Sequence, residues 1–152
     1  MIIGVPKEIK PQENRIGLTP DSVKTLVSEG HKVLVENNGG FEAGFDNDQY
    51  INSGAKIVNK ASDIFNDAEI IVKVKEPQKV EVEMIKENQI VYTYLHLAAA
   101  KELTEGLVKS KSINIAYETI TDDNGRLPLL APMSAVAAVS YTHLTLPTIV
   151  CV

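Results

Sequence analysis

The chain has one cysteine, Cys151, no tryptophan, 5% aromatic residues and two arginines, Arg15 and Arg126. A lone cysteine allows no internal disulfide, and a reducing cytoplasm is the expected setting. No stretch approaches the roughly 18 consecutive apolar residues of a membrane span. The start, Met1-Ile2-Ile3-Gly4-Val5-Pro6-Lys7, lacks the basic-then-apolar layout of a secretory signal. Basic excess is also missing: a net charge of −5 and a pI near 5.2 argue against a nucleic-acid partner. No G-x-G occurs, and Gly39, Gly40 and Gly44 do not have the spacing of a dinucleotide fingerprint, so Asn37 to Gly40 reads as a turn. No Cys/His cluster has metal-ligand spacing, and no Ser or Cys lies in a nucleophile motif. Internal repeats and low-complexity segments are absent.

What is present is ordinary globular material, 44% hydrophobic and 23% charged over 152 residues, enough for a real core. Ile2 to Val5 reads as a strand buried on both faces and stopped by Pro6. Thr19-Pro20-Asp21 carries the signals of a helix start, and Gly30 those of its end. Lys32 to Glu36 is the next strand, followed by a short helix from Asp46 to Ser53 with Tyr50 and Ile51 inward, and a brief strand over Ala55 to Val58. Ser62 to Asn66 is helical. The apolar runs Ile70 to Pro77 and Ile90 to Leu97 read as parallel strands joined by a polar helical crossover, Gln78 to Asn88. Lys101 to Lys109 forms a helix burying Leu103, Leu107 and Val108, Ile113 to Tyr117 a strand, Thr121 to Gly125 a turn, and Pro132 to Val139 a last helix. This alternation predicts a layered α/β fold: an open, mostly parallel sheet with helices on both faces.

Ligands of open parallel sheets bind beyond the carboxyl ends of the strands, and Lys75 and His96 fall at two such ends. On spacing alone Lys75 reads as a solvated lysine; its other use is as an anion anchor, since an ammonium suits a carboxylate. His96 is either a structural histidine or a general acid–base group, because imidazole titrates near neutral pH. Arg15, in a loop before a helix, is a surface residue or a bidentate carboxylate clamp. Tyr94 and Glu118 stand beside the strand ends as candidate supports, with a structural use the more common one for Glu118. His31 is expected to be exposed. The tail from residue 140 to 152 has no charged residue apart from His143, and reads as non-native or truncated sequence.

Several segments resemble the amino-terminal part of alanine dehydrogenases. They are Met1 to Glu8, Glu13-Asn14-Arg15-Ile16-Gly17-Leu18-Thr19-Pro20, Gly44-Phe45-Asp46 with Tyr50, and Ser53-Gly54-Ala55. Val72-Lys73-Val74-Lys75-Glu76-Pro77 and Tyr94-Leu95-His96-Leu97-Ala98 are the most specific, and Ala116 to Thr119 and Leu129 to Ser134 complete the set. The likeness covers residues 1–139. It implies a substrate-binding domain of the flavodoxin-like type found in formate/glycerate dehydrogenases, from an enzyme that oxidises L-alanine reversibly to pyruvate and ammonia with NAD. It also implies a cytoplasmic homohexamer. It assigns Arg15 and Lys75 to the substrate carboxylate, His96 to acid–base work, and Met133 and Ser134 to the nicotinamide side. The chain departs from the family pattern at Ala135, where an acid is usual, and at Ala138 and Val139, where glycine and arginine are usual.

The related domains of nicotinamide nucleotide transhydrogenase and of saccharopine dehydrogenase are alternatives within the enzyme class, and a non-catalytic interaction domain lies outside it. Tyr94-Leu95-His96 argues against the transhydrogenase, since a pure hydride exchanger needs no substrate base. The nucleotide-binding domain with its glycine fingerprint lies outside this sequence. The purified 152-residue chain is therefore expected to form no NADH from alanine and NAD, and any alanine-dependent absorbance at the NADH wavelength would contradict this.

Overall fold

The computed structural model describes residues 1–132 and residue 135. Two compact units divide the chain, Met1–Ala116 and Tyr117–Val152. The first holds every strand described: β1 (Ile2–Val5), β2 (Lys32–Glu36), β3 (Lys56–Val58), β4 (Ile70–Val72), β5 (Ile90–Thr93) and β6 (Ile113–Ala116). Between them lie α1 (Pro20–Ser28), α2 (Asn47–Asn52), α3 (Ala61–Asp67), α4 (Lys79–Val82) and α5 (Lys101–Ser110). In the second unit, a 3-10 turn covers Tyr117–Thr119, and the Asp122 carboxylate accepts the Asn124 and Arg126 amides at 2.9 and 2.8 Å, closing the expected turn.

Local sequence explains the helix ends. Thr19 caps α1, its hydroxyl accepting the Ser22 amide at 3.3 Å, with Pro20 opening the helix. Asp46 and Gln49 form a reciprocal capping box on α2, at 2.9 and 2.8 Å. Gly30 follows α1 at φ +84°, a backbone that a side chain would strain.

The six strands form one all-parallel sheet in the order β3-β2-β1-β4-β5-β6. Leaving out the short edge strand β3 gives the flavodoxin-like succession, one strand on one side of β1 and three on the other. Alternate residues supply the two faces. Ile3, Val5, Val33 and Val35 pack with Val23 of α1 and Tyr50 of α2. Leu34, Ile71 and Val91 pack on the opposite side with Ile64 and Phe65 of α3 and Leu107 of α5. Helices thus cover both faces of the sheet, as the alternation of strand and helix predicts.

Four details differ from expectation. The crossover Gln78 to Asn88 contains only the four-residue α4. Ile51 is 52% exposed, because Tyr50 takes the inward place on α2 and the next residue lies about 100° further round. The same geometry buries Leu107 and leaves Val108 73% exposed on α5. His31 is half-buried, where exposure was expected. Among the described residues no helix is long and apolar enough to cross a membrane.

β1 and α3 meet at Gly4. A Cβ placed there would lie 2.5 Å from Ile64 Cγ2 and 2.8 Å from Ala68 Cβ. Gly4→Ala should therefore cost about 1–3 kcal/mol of overpacking. Urea unfolding followed by circular dichroism would measure it, and a variant of unchanged midpoint would show that α3 stands further from the sheet.

Candidate functional site

β1 sits between β2 and β4, and the chain leaves it in one direction to build β2 and β3 and returns to build β4 to β6. The connections part at the carboxyl ends of β1 and β4, where a crevice is expected. Two segments without regular structure line this edge, Pro6 to Leu18 after β1 and Lys73 to Gln78 after β4.

The first segment is tied down along its length. Ile16 inserts into the core beside Val5 and Tyr50, and the Tyr50 hydroxyl donates to the Leu18 carbonyl at 2.9 Å. Burial pushes that phenol up to about 12, so it remains a donor at neutral pH. Gly17 passes so close to β4 that a Cβ would lie 2.6 Å from the Val72 carbonyl oxygen. Lys10 pairs with Glu76. Glu8, 6% exposed, reaches across: Oε2 accepts from Lys73 Nζ at 3.0 Å, and Oε1 accepts the amides of Val74 and Lys75 at 2.6 and 3.3 Å. The buried Lys73 ammonium also donates to Glu81 Oε1 at 2.7 Å. Burial raises the Glu81 carboxyl above its ordinary value, against the pull of Lys73.

These ties bring Arg15 to the edge that carries Lys75. The Arg15 guanidinium grips Glu13 with two donors, Nε to Oε1 at 2.8 Å and Nη2 to Oε2 at 2.6 Å. Its backbone amide donates to the same carboxylate at 3.0 Å. The Arg15 side-chain hydrogen bond, working against burial, holds Glu13 down at about 2, and the charge of Lys75 adds to the effect. Lys75 in turn lies over the Tyr94 ring, 5.1 Å from its centroid, and the Tyr94 and His96 rings stack at 6.1 Å and 21°. Cation and aromatic face attract each other at such distances. Buried Leu95, 1% exposed, anchors the chain between the two rings.

His96 has φ 47° and ψ 44° and opens the 3-10 turn Leu97–Ala99. This left-handed backbone is uncommon for a residue with a side chain, and such conformations gather at functional sites. Thr93, fully buried at the end of β5, donates its hydroxyl to the Lys75 carbonyl at 2.8 Å, tying the two strand ends together.

Two of the candidates are thus linked, Lys75 and His96 through Tyr94, while Arg15 is paired with Glu13, whose carboxyl the charge of Lys75 lowers further. Glu118 belongs to the second unit, in its 3-10 turn, and is half-buried. Met133 and Ser134 lie outside the described residues. Glu8, Glu13 and Lys73 were not singled out from the sequence. The Glu-x-Arg spacing could have pointed to Glu13, whereas Glu8 and Lys73 meet across 65 positions, with no local signal. Among the described residues there is no group of three or more His, Cys, Asp or Glu side chains able to hold a metal ion.

A dinucleotide does not fit the turn after β1. A pyrophosphate would need a glycine-rich turn that opens a helix with its amides free. Here Pro6, Lys7 and Glu8 follow the strand in place of glycines, no helix opens there, and the Lys7 amide is taken by Glu36 at 2.7 Å.

The Arg15–Glu13 contact makes a measurable prediction. In the folded chain the Glu13 carboxyl should titrate at about 2, against an ordinary value of 4.5. Its folded value is depressed, so the contact stabilises fully above the unfolded value and fades as pH falls from there through about 2. Arg15→Gln should raise the Glu13 midpoint towards 4.5 in a carboxyl-carbon NMR titration. An unmoved midpoint would mean that the pair does not form in solution.

Comparison with known proteins agrees with this architecture. The model of the alanine dehydrogenase/PNT N-terminal domain matches residues 4–137. An alanine dehydrogenase of Staphylococcus epidermidis is 51% identical over 137 residues, 90% of this chain and 37% of that protein. Those of Methanococcus maripaludis and Bacillus subtilis are 48% and 49% identical, again over 90% of this chain, and over 37% and 36% of their own lengths. A solved L-alanine dehydrogenase superposes with a TM-score of 0.85 at 51% identity, covering 88% of this chain and 37% of that one. A transhydrogenase from Sinorhizobium meliloti superposes at 0.74 with 26% identity, covering 79% and 36%. The chain therefore spans little more than a third of the length of these relatives, and within that span it belongs to the alanine dehydrogenase/PNT N-terminal domain family.

Proposed function

We propose that residues 1–139 are the substrate-binding portion of an NAD-dependent L-alanine dehydrogenase, which converts L-alanine, NAD and water to pyruvate, ammonia and NADH, reversibly. Residues 140–152 are then a non-native or truncated tail. The observation that carries the reading is the Lys75–Tyr94–His96 stack beyond the carboxyl ends of β4 and β5, with the charge of Lys75 acting on Glu13 of the Arg15–Glu13 pair.

In this reading the α-carboxylate of alanine or pyruvate lies against Arg15 and Lys75. Glu13 orients the guanidinium plane, and a planar fork meets a carboxylate with two parallel hydrogen bonds. His96 faces the next carbon. Its imidazole takes the proton released as the amino-bearing carbon is oxidised and passes it to solvent; it then takes a proton from the water that adds to the imine and gives it to the departing ammonia. The same group returns both protons in the amination direction. NAD, which accepts the hydride, is held mainly by a part of the protein outside this chain, in keeping with the poor fit of a dinucleotide to the β1 turn. Met133 and Ser134 belong on the nicotinamide side, and Glu118 is a candidate support. The whole protein is a cytoplasmic homohexamer in this reading.

The transhydrogenase likeness supports a second, weaker reading as a hydride-exchange domain. Against it stands His96, placed beside a lysine in a crevice with no dinucleotide turn, where an exchanger needs no proton-transfer group.

The decisive experiment joins this domain to its nucleotide-binding domain. His96→Ala in that protein should lower kcat for alanine by about 10²–10⁴-fold and leave NAD affinity unchanged. Equal loss of both would indicate misfolding, and full activity without the imidazole would remove His96 from the mechanism.

A further inference from the structure

Glu8, Lys73 and Glu81 place three ionisable groups inside the fold, at 6%, 2% and 2% exposure. Buried ion networks add little to stability over apolar residues of the same volume, and where they have a use it is to fix one geometry among several. The geometry fixed here is that of the segment bearing Lys75. Glu8 Oε1 accepts the Val74 and Lys75 amides, while Oε2 is held by Lys73. Lys73 is bound on its other side by Glu81, whose second oxygen accepts the Gln78 amide at 2.7 Å. The Lys75 carbonyl accepts from Thr93. The segment from 73 to 78 belongs to no strand or helix, so these bonds take the place of a ladder.

We propose that Glu8 is a positioning residue for Lys75, and that Lys73 and Glu81 hold the Glu8 carboxylate in the orientation that does this. The inference rests on the reading of Lys75 as the carboxylate anchor. One carboxylate oxygen fixes the Val74 and Lys75 amides, so the Lys75 side chain leaves the backbone in a set direction and lies over Tyr94. Without that clamp the segment has other backbone arrangements available, and the ammonium loses its fixed place.

The test uses the 152-residue chain with no substrate, so its outcome is separate from that of the alanine reading. Lys75 ε-methylene protons, above the Tyr94 ring, should resonate upfield of those of the exposed lysines. The signal is assigned by its loss in Lys75→Gln. In Glu8→Met, which removes the acceptor of the Val74 and Lys75 amides, the upfield shift should disappear. Glu8→Met combined with Lys73→Met and Glu81→Gln strands no buried charge, should fold at least as stably as the single variant, and should lose the shift as well. In the unmodified chain the Val74 and Lys75 amides should exchange slowly with solvent. Persistence of the upfield shift in either variant that unfolds cooperatively would overturn the proposal and leave the network a purely structural role. So would free exchange of both amides, or the absence of any upfield lysine signal in the unmodified chain.

Discussion

Every strand of a parallel sheet ends on the same side, and only where successive connections diverge do those ends leave room for a ligand. In this chain the divergence falls between β1 and β4. Whatever follows either strand is brought to the same edge, and the residues after them are short of regular structure and rich in charge. The crevice is a result of strand order. Its chemistry is a result of what the two irregular segments carry.

The irregular segments raise a difficulty that the sheet does not. Backbone amides outside ladders and helices still need partners, and at this edge side chains supply them. Glu8 does so for Val74 and Lys75, Glu36 for Lys7, Glu81 for Gln78, and Thr93 for the Lys75 carbonyl. Three of these four are carboxylates, so the edge nearest the cations is itself lined with anions. Glu13 belongs to the same pattern, ionised under all ordinary conditions because Arg15 holds it so. Arg15, though its side chain is 56% exposed, is thus held by Glu13, and Lys75 lies over the Tyr94 ring.

The strands were legible because continuous β-branched runs bounded by proline, glycine and acid have few other readings, and Ile2–Val5, Lys32–Glu36 and Ile90–Thr93 fall where those runs do. Helix starts were legible where capping chemistry is local, as at Thr19 and Asp46. What did not show was inwardness over single residues: in helices of six and ten residues, Ile51 and Val108 each lost the inward place to the preceding neighbour. Lys75 and His96 could be chosen by type and position at strand ends, and Arg15 by type in a loop before a helix. Lys73 could not, because a lysine two places before another in Val-Lys-Val-Lys gives no sign of which one is buried. Its partner Glu8 lies 65 positions away, and only the closed sheet brings them together.

The left-handed backbone at His96 restricts which residues this site can hold. Glycine, asparagine, aspartate and histidine enter that conformation far more readily than branched or bulky residues do. Drift at this position is thus filtered first by steric tolerance, before any selection on reactivity. Of the residues that pass, histidine is the one whose side chain gains and loses a proton near neutrality, so the turn narrows this position to a short list that includes it.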